Sequence, residues 1–367
     1  MTAHDIVVRG AGAVGMAAAL ALSRQGLNVG LVAAPARHSP DVRAYALNAA
    51  SVALLDGLKV WHALPADART AVHDMRVEGD APGAVLEFSA WTQGVAELAW
   101  IVDAAELDLA LQAAVRFAPH VTMAGEEATA PLQLLAEGRD SAARQRLGVR
   151  MPRQAYQQRG VAARLQTDRP HAGQARQWFR SPDVLALLPL DRPLPGSSFG
   201  LVWSLPDDRA DALMALPDAD FQTALMDATG GAAGQLRLTS ERAQWPLVLA
   251  RAEQVCGPGW ALLGDAAHLV HPLAGQGLNL GLADVAALAR VVAARESWRQ
   301  LGDPRLLRRY ARERELPTRA MGQVTDGLLQ LFASEQPLVK ELRNRGLSLV
   351  NALGPLKRAL TARALDS

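Results

Sequence analysis

The sequence holds one cysteine, Cys256, among 367 residues. One thiol closes no intrachain disulfide and builds no cysteine-based zinc site, so the fold is expected to need neither, and a reducing compartment fits. An excess of one charge is missing too: 38 basic side chains face 37 acidic ones, a formal net charge of +1. A nucleic-acid duplex is gripped by surplus Lys and Arg that this balance does not supply, so no nucleic-acid partner is expected. No run approaches the roughly 18 continuous apolar residues of a spanning helix. Residues 14–22 imitate the apolar core of a secretory signal, but the chain opens Met1, Thr2, Ala3, His4, Asp5 without a positive charge. Residues 1–30 are therefore read as part of the fold, and the protein as cytoplasmic.

Half of the residues are apolar and a fifth are charged, which excludes a disordered chain. At about 150 residues per domain the length predicts two domains. A short apolar run over 5–8 leads into Gly10, Gly12 and Gly15, then an Ala-rich helical stretch stopped by Gly26, then a buried strand over 28–32. This is a βαβ unit. A helix is expected from Asp41 to near Trp61, with Leu47, Val52, Leu55 and Leu58 on one face, and another after Asp103 with Leu107, Leu111 and Val115. Residues 152–205 change character and read as strands between Pro- and Gly-rich turns, a separate sheet layer inserted in the chain. A buried strand over 260–263 then runs into a glycine-rich loop and a helix over 279–294, and from Asp303 the chain is helical, broken at Pro317, Pro337 and Gly354-Pro355.

In Gly10-x-Gly12-x-x-Gly15, the first glycine permits a tight turn, the second lets backbone approach a pyrophosphate, and the third lets helix and strand pack closely. The acid that grips the adenosine ribose should end the second strand about 20 residues on. Ala33 stands there, and no acid occurs between Asp5 and Asp41. The ribose is then held by backbone and water, or the dinucleotide is bound weakly; Arg37 opens a third reading, a 2′-phosphate partner and hence NADP.

The second motif runs Gly264-Asp265-Ala-Ala-His268-Leu-Val-His271-Pro272-Leu-Ala-Gly275-Gln276-Gly277-Leu278-Asn279-Leu-Gly281. It reads as an acid at a strand's carboxyl end, a glycine-rich loop and a helix N-terminus. Here the sequence resembles the UbiH/UbiF/VisC/Coq6 family of FAD-dependent ubiquinone-biosynthesis hydroxylases, within the single-component flavin aromatic hydroxylases. The resemblance extends to the segment Asp41-Val-Arg43-Ala-Tyr-Ala-Leu47, to Pro189-Leu190 and Val202-Trp203-Ser204, and to Tyr310, Arg314 and Met321. It implies that Asp265 holds the ribityl chain of FAD, that residues 275–279 cradle the pyrimidine edge of the flavin, and that Arg43 contacts the FAD phosphates. Backbone N–H groups at a helix N-terminus suit the negative charge of reduced flavin. Read as a solvated helix cap, Arg43 would have no such role. The implied cofactor-binding set is thus Gly10, Gly12, Gly15, Arg43, Gly264, Asp265, Pro272, Gly275, Gln276, Gly277, Leu278 and Asn279, with no side chain assigned as catalytic acid or base.

Three features depart from the family pattern: Ala33, Glu137 where members carry Asp before a glycine, and a segment between Val121 and Gly138 with room for two strands at most. All three fall on the FAD-binding domain, and Ala33 predicts weaker FAD affinity. His268 and His271 are expected to shape their loop; no third ligand stands nearby at suitable spacing, and no metal is expected. A helical stripe of Leu338, Leu342, Leu349, Leu353, Leu356 and Leu360 accompanies a net charge of +5 over residues 340–363. Such an end packs on its own domain or lies peripherally on the inner face of a membrane.

The resemblance implies an α/β fold: a Rossmann-like FAD-binding domain from 1–150 and 245–300, an inserted β-sheet substrate domain over 151–244, and a helical C-terminal region over 301–367. It implies a monooxygenase in which NADH or NADPH reduces FAD, O2 adds at the flavin C4a, and the aromatic ring of a lipid-tailed ubiquinone precursor is hydroxylated. Other ubiquinone-biosynthesis proteins are its expected partners. Two readings stand beside it: a non-catalytic relative serving as a subunit of a biosynthetic assembly, motivated by the three departures, and an NADP-dependent dehydrogenase, motivated by Arg37 and the missing acid.

Overall fold

The computed structural model describes residues 4–33, 41–81, 83–270 and 276–333. Arg37, His271, Pro272, Gly275 and the leucine stripe from Leu338 lie outside them.

The strand Ile6–Arg9 is central to a six-stranded sheet, between Leu132–Leu135 and Val29–Val32. Its pairings with both are parallel, as are those of the next strands out, Trp260–Leu262 and Val121–Met123. Parallel strands covered on both faces need continuous apolar runs, and Ile6, Val7 and Val8 are all fully buried. Helices Ala13–Ser23, Ala104–Phe117 and Gln276–Ala293 supply the cover through Met16, Leu107, Leu111, Leu282 and Leu288. Two strands, Val121–Met123 and Leu132–Leu135, occupy the short segment before Gly138. The loop between them is tied to the central strand by Arg9, whose guanidinium donates to Glu126 O (2.9 Å), Ala128 O (2.8 Å) and Gln133 Oε1 (3.0 Å).

The second sheet runs in the order His268–Leu269, Ala243–Arg251, Arg153–Thr167, Ser198–Pro206, Asp183–Leu190, Gln174–Arg180, Asp74–Glu78, Val85–Ser89, with Leu236–Leu238 also beside Arg153–Thr167. It reaches outside the expected 151–244: Asp74–Glu78 pairs in parallel with Gln174–Arg180, and Ala243–Arg251 pairs with Arg153–Thr167. Strand alternation divides its faces. Val161, Ala163, Leu165, Leu185, Leu201 and Trp203 point to one side, where Phe221 and Leu225 of helix Asp218–Thr229 bury them together with helix Asp207–Ala215.

Two sequence expectations change. Residues 41–47 do not begin a helix: Ala44–Leu47 is a strand paired antiparallel with Ala99–Asp103. The helix is Ala49–Gly57, started by Asn48, whose side chain accepts from Ser51 N at 2.9 Å. That cap separates Leu47 from the apolar positions whose spacing had joined it to the helix. Pro317 does not break the last helix either, which runs unbroken over Pro304–Ala333. The proline removes one intrahelical donor, and the turns on either side remain paired. No helix among the described residues is long and apolar enough to cross a membrane.

Candidate functional site

The three glycines of the first motif are required for different reasons. Gly10 has φ +106°, and a Cβ on it would stand 2.3 Å from Ala136 O; a Cβ on Gly15 would stand 1.8 Å from Gly10 O. Both are fixed by contacts inside the protein. Gly12 is the cap residue of helix Ala13–Ser23, and a Cβ there would meet nothing within 4 Å among the described residues. No side chain of the described residues caps this helix, and no acid stands in its first turn. Its first backbone N–H groups are thus without a side-chain partner among the described residues, which suits them to a pyrophosphate.

The second motif is packed directly against the first. Val14, in the first turn of that helix, lies 3.2 Å from a Cβ built on Gly264 and 2.5 Å from one built on Gly281. Gly264 adopts φ +58° at the end of strand Trp260–Leu262 and turns the chain into Asp265. The Asp265 side chain is open to solvent and has no hydrogen-bond partner among the described residues. Protein atoms nevertheless crowd it, and this partial desolvation lifts its carboxyl above the usual range, against the pull of nearby charges that include Arg139 and Arg43. A carboxylate in this position is suited to accept from ligand hydroxyls. A Cβ on Gly277 would meet no atom of the described residues within 4 Å, whereas Leu278 is half-buried against the core. Gln276 opens the helix Gln276–Ala293, its side chain outside the description.

Two expected contacts look different in three dimensions. The Asn279 side chain is turned inward: Nδ2 donates to Ala46 O (2.8 Å), and Oδ1 accepts from Ser51 Oγ (2.7 Å) and Asn48 N (3.2 Å). It staples this helix to strand Ala44–Leu47 and helix Ala49–Gly57, leaving its backbone as what it can present to a ligand. Arg43 is half-exposed and paired with Asp41 through Nε (2.8 Å) and Nη2 (2.6 Å), its guanidinium carbon 5.5 Å from the Tyr45 ring centre. A phosphate would compete with Asp41 for it. Glu137 caps the turn after Gly138, accepting from Ser141 Oγ (2.5 Å) and Ala143 N (2.9 Å). Ala33 is exposed at the end of its strand.

His268 is not free: its Nε2 lies 2.7 Å from Asp284 Oδ2, which also accepts from Gly264 N at 2.9 Å. Arg314 Nε reaches Asp284 Oδ1 at 2.7 Å. Sequence reasoning missed Asp284; the available signal was a lone acid within the apolar text of helix Gln276–Ala293.

The large sheet turns its other face toward these elements. Arg164 lies on that face and bonds Asp103 Oδ2 (3.0 Å) and Arg43 O (2.5 Å), and a Cβ on Gly200 would stand 3.0 Å from Ala44 Cβ. Register places Gly160, Ala162, Ala186, Gly200 and Val202 on the same side. Trp245 lies across Gly160, its ring 3.1 Å from where a Cβ would be. Gly160, Ala162 and Gly200 are buried on that side, and Ala186, Val202 and Trp245 are half-buried. A groove of about 350 Å³ lined by Leu20, Leu58 and Phe117 opens at the opposite end of helix Ala13–Ser23, away from the glycine motifs.

A model of the FAD binding domain matches residues 3–117 and 112–325. Ubiquinone hydroxylase UbiL of Rhodospirillum rubrum is 31% identical over 99% of this chain and 90% of its own. The 3-demethoxyubiquinol 3-hydroxylase of Escherichia coli is 31% identical over 98% of each chain. Among solved structures, PqsL from Pseudomonas aeruginosa superposes with a TM-score of 0.77 at 21% identity, over 94% of this chain and 99% of that one. The uncapped helix at Gly12 and the open carboxylate of Asp265 fit the cofactor this family carries, and the chain belongs to the FAD binding domain family as an FAD-dependent monooxygenase.

Proposed function

We propose that this chain hydroxylates the aromatic ring of a polyprenylated ubiquinone precursor. The observation that supports the reading is the convergence of both glycine motifs on Val14, which packs the start of helix Ala13–Ser23 against the turn that leads into Asp265. Gly12 and the first turn of helix Ala13–Ser23 would hold the pyrophosphate, Asp265 the ribityl hydroxyls, and the backbone at Gly277 the edge of the flavin ring. Arg43 would exchange Asp41 for phosphate. FAD, when bound, supplies O2 activation with electrons taken from NADH or NADPH.

The chain's own part is binding, orientation and exclusion of water. The half-buried Ala186 and Val202, with Trp245 on the same side of the sheet, would give a planar ring apolar contact, and apolar surroundings strengthen each polar contact made there. That relatives at 31% identity are named ubiquinone hydroxylases supports a prenylated ring as substrate. Deleting the gene in its host is expected to deplete ubiquinone and accumulate an under-hydroxylated prenylated phenol. The native sequence should restore ubiquinone, and an Asp265→Ala, Gly277→Asp double variant should not. Full restoration by that flavin-dead variant would overturn catalysis and favour a subunit role, the reading that Ala33 and Glu137 support.

A further inference from the structure

Asp284 is 1% exposed, and its carboxylate is shared between three elements. Oδ2 accepts from Gly264 N–H and from His268 Nε2, at 2.9 and 2.7 Å; Oδ1 accepts from Arg314 Nε at 2.7 Å. Arg314 also donates from Nη2 to Leu280 O at 3.3 Å. A carboxylate withdrawn from water stays ionised only with such compensation. Burial would raise the Asp284 pKa, yet His268 and Arg314 outweigh it and hold the group below the usual carboxylate range.

Gly264 immediately precedes Asp265, and its left-handed backbone, φ +58°, carries the chain into that residue. The hydrogen bond to Asp284 fixes the N–H of that turn. The carboxylate that holds it is itself oriented by a guanidinium from the long helix Pro304–Ala333, which contributes no glycine motif. One turn earlier, Tyr310 donates its hydroxyl to Leu262 O at 2.8 Å, on the strand entering the same turn. The last helix therefore grips the Gly264–Asp265 turn through the strand before it and the carboxylate beneath it.

We infer that Arg314 is a positioning residue for the cofactor: by holding Asp284 against Gly264 it makes FAD affinity depend on the docking of helix Pro304–Ala333. The inference rests on the proposed role of Asp265 toward FAD. Because linkage is reciprocal, bound FAD must in turn tighten the docking of that helix. A structural role alone would lower stability in an Arg314 variant and leave the affinity of the folded fraction unchanged.

The experiment is FAD titration of the full-length apoprotein, followed by flavin fluorescence, for the native chain, Arg314→Lys and Arg314→Met, with apoprotein melting recorded for each. Arg314→Met is expected to raise the Kd roughly tenfold, a typical size for coupling between sites, and Arg314→Lys, which keeps the charge and loses the fork, to fall between. A folded Arg314→Met variant whose Kd lies within twofold of the native value would overturn the inference. Should that variant not fold, amide exchange of the native chain decides: FAD is expected to slow exchange across residues 304–320, and unchanged exchange there with FAD bound would overturn it. A native chain that binds no FAD would instead sink the proposed function on which this rests.

Discussion

Val14 occupies the space that a side chain on Gly281 would need, its Cγ2 2.5 Å from an ideal Cβ there and 3.2 Å from one on Gly264. The helix that opens the first glycine motif is thus wedged between two glycines of the second, some 250 residues later. Neither motif can shift without the other. Gly281→Ala is expected to push the first turn of helix Ala13–Ser23 outward, destabilising the protein by about 1–3 kcal/mol, as overpacking does, and weakening FAD binding with it. Denaturant unfolding of the apoprotein and a flavin titration would test both; unchanged stability would show that Val14 moves aside freely.

Gly12 should behave differently from its neighbours. A Cβ there meets nothing within 4 Å among the described residues, while one on Gly15 meets Gly10 O at 1.8 Å. Gly12→Ala is expected to leave apoprotein stability within about 0.5 kcal/mol while weakening FAD binding, because the methyl projects where the pyrophosphate must approach. Gly15→Ala should lose stability first. Measuring unfolding and Kd for the pair separates the glycine needed by the ligand from the one needed by the fold; equal effects on stability would refute the distinction.

Asp265 and His268 should separate in the same two measurements. The folded apoprotein raises the Asp265 pKa through desolvation, so the ionised form is penalised and that penalty is present above the carboxylate range. Asp265→Asn is therefore expected to leave apoprotein stability at neutral pH equal or higher, with the gain vanishing in acid, and to abolish tight FAD binding. His268→Ala removes one partner of buried Asp284, which keeps Arg314 and Gly264 N, and is expected to lose about 1.5–3 kcal/mol. A destabilised Asp265→Asn apoprotein would contradict this account.

Much of this site was legible because glycine spacing constrains backbone locally. Gly10, Gly12 and Gly15 lie within one turn and one helical start, so strand, turn and helix follow from their order alone. Asp284 was not legible: an acid in an apolar helix reads as a surface residue unless its partner is known, and Arg314 stands 30 residues away on another helix. The parallel pairing of Asp74–Glu78 with Gln174–Arg180 crosses about a hundred residues, a distance over which alternation carries no signal. Residues 44–47 failed for a subtler reason. Leu47, Val52, Leu55 and Leu58 do fit one helical face, and only the Asn48 cap, a residue type favoured at helix starts, places Leu47 outside it.

Asp183 gives a pH test remote from the cofactor. It lies on the large sheet with its side chain 6% exposed, accepting from Arg209 Nη1 (2.6 Å) and Trp203 Nε1 (3.3 Å). Burial pushes its carboxyl up to about 6, against the charge and hydrogen bonds of Arg209 and the indole. The folded state thus holds this proton more tightly than the unfolded chain, so the group's contribution falls as pH rises through the window from about 4 to about 6 and stays unfavourable above it. Asp183→Asn keeps an acceptor for Trp203 and removes the charge. Its stability relative to the native chain should be lowest near pH 4 and rise as pH increases to 7, by on the order of 1–3 kcal/mol. Urea unfolding of both proteins across that range measures the difference directly. A gap that is flat with pH would mean that Asp183 titrates normally, and one that closes as pH rises would mean that the Arg209 pair outweighs burial.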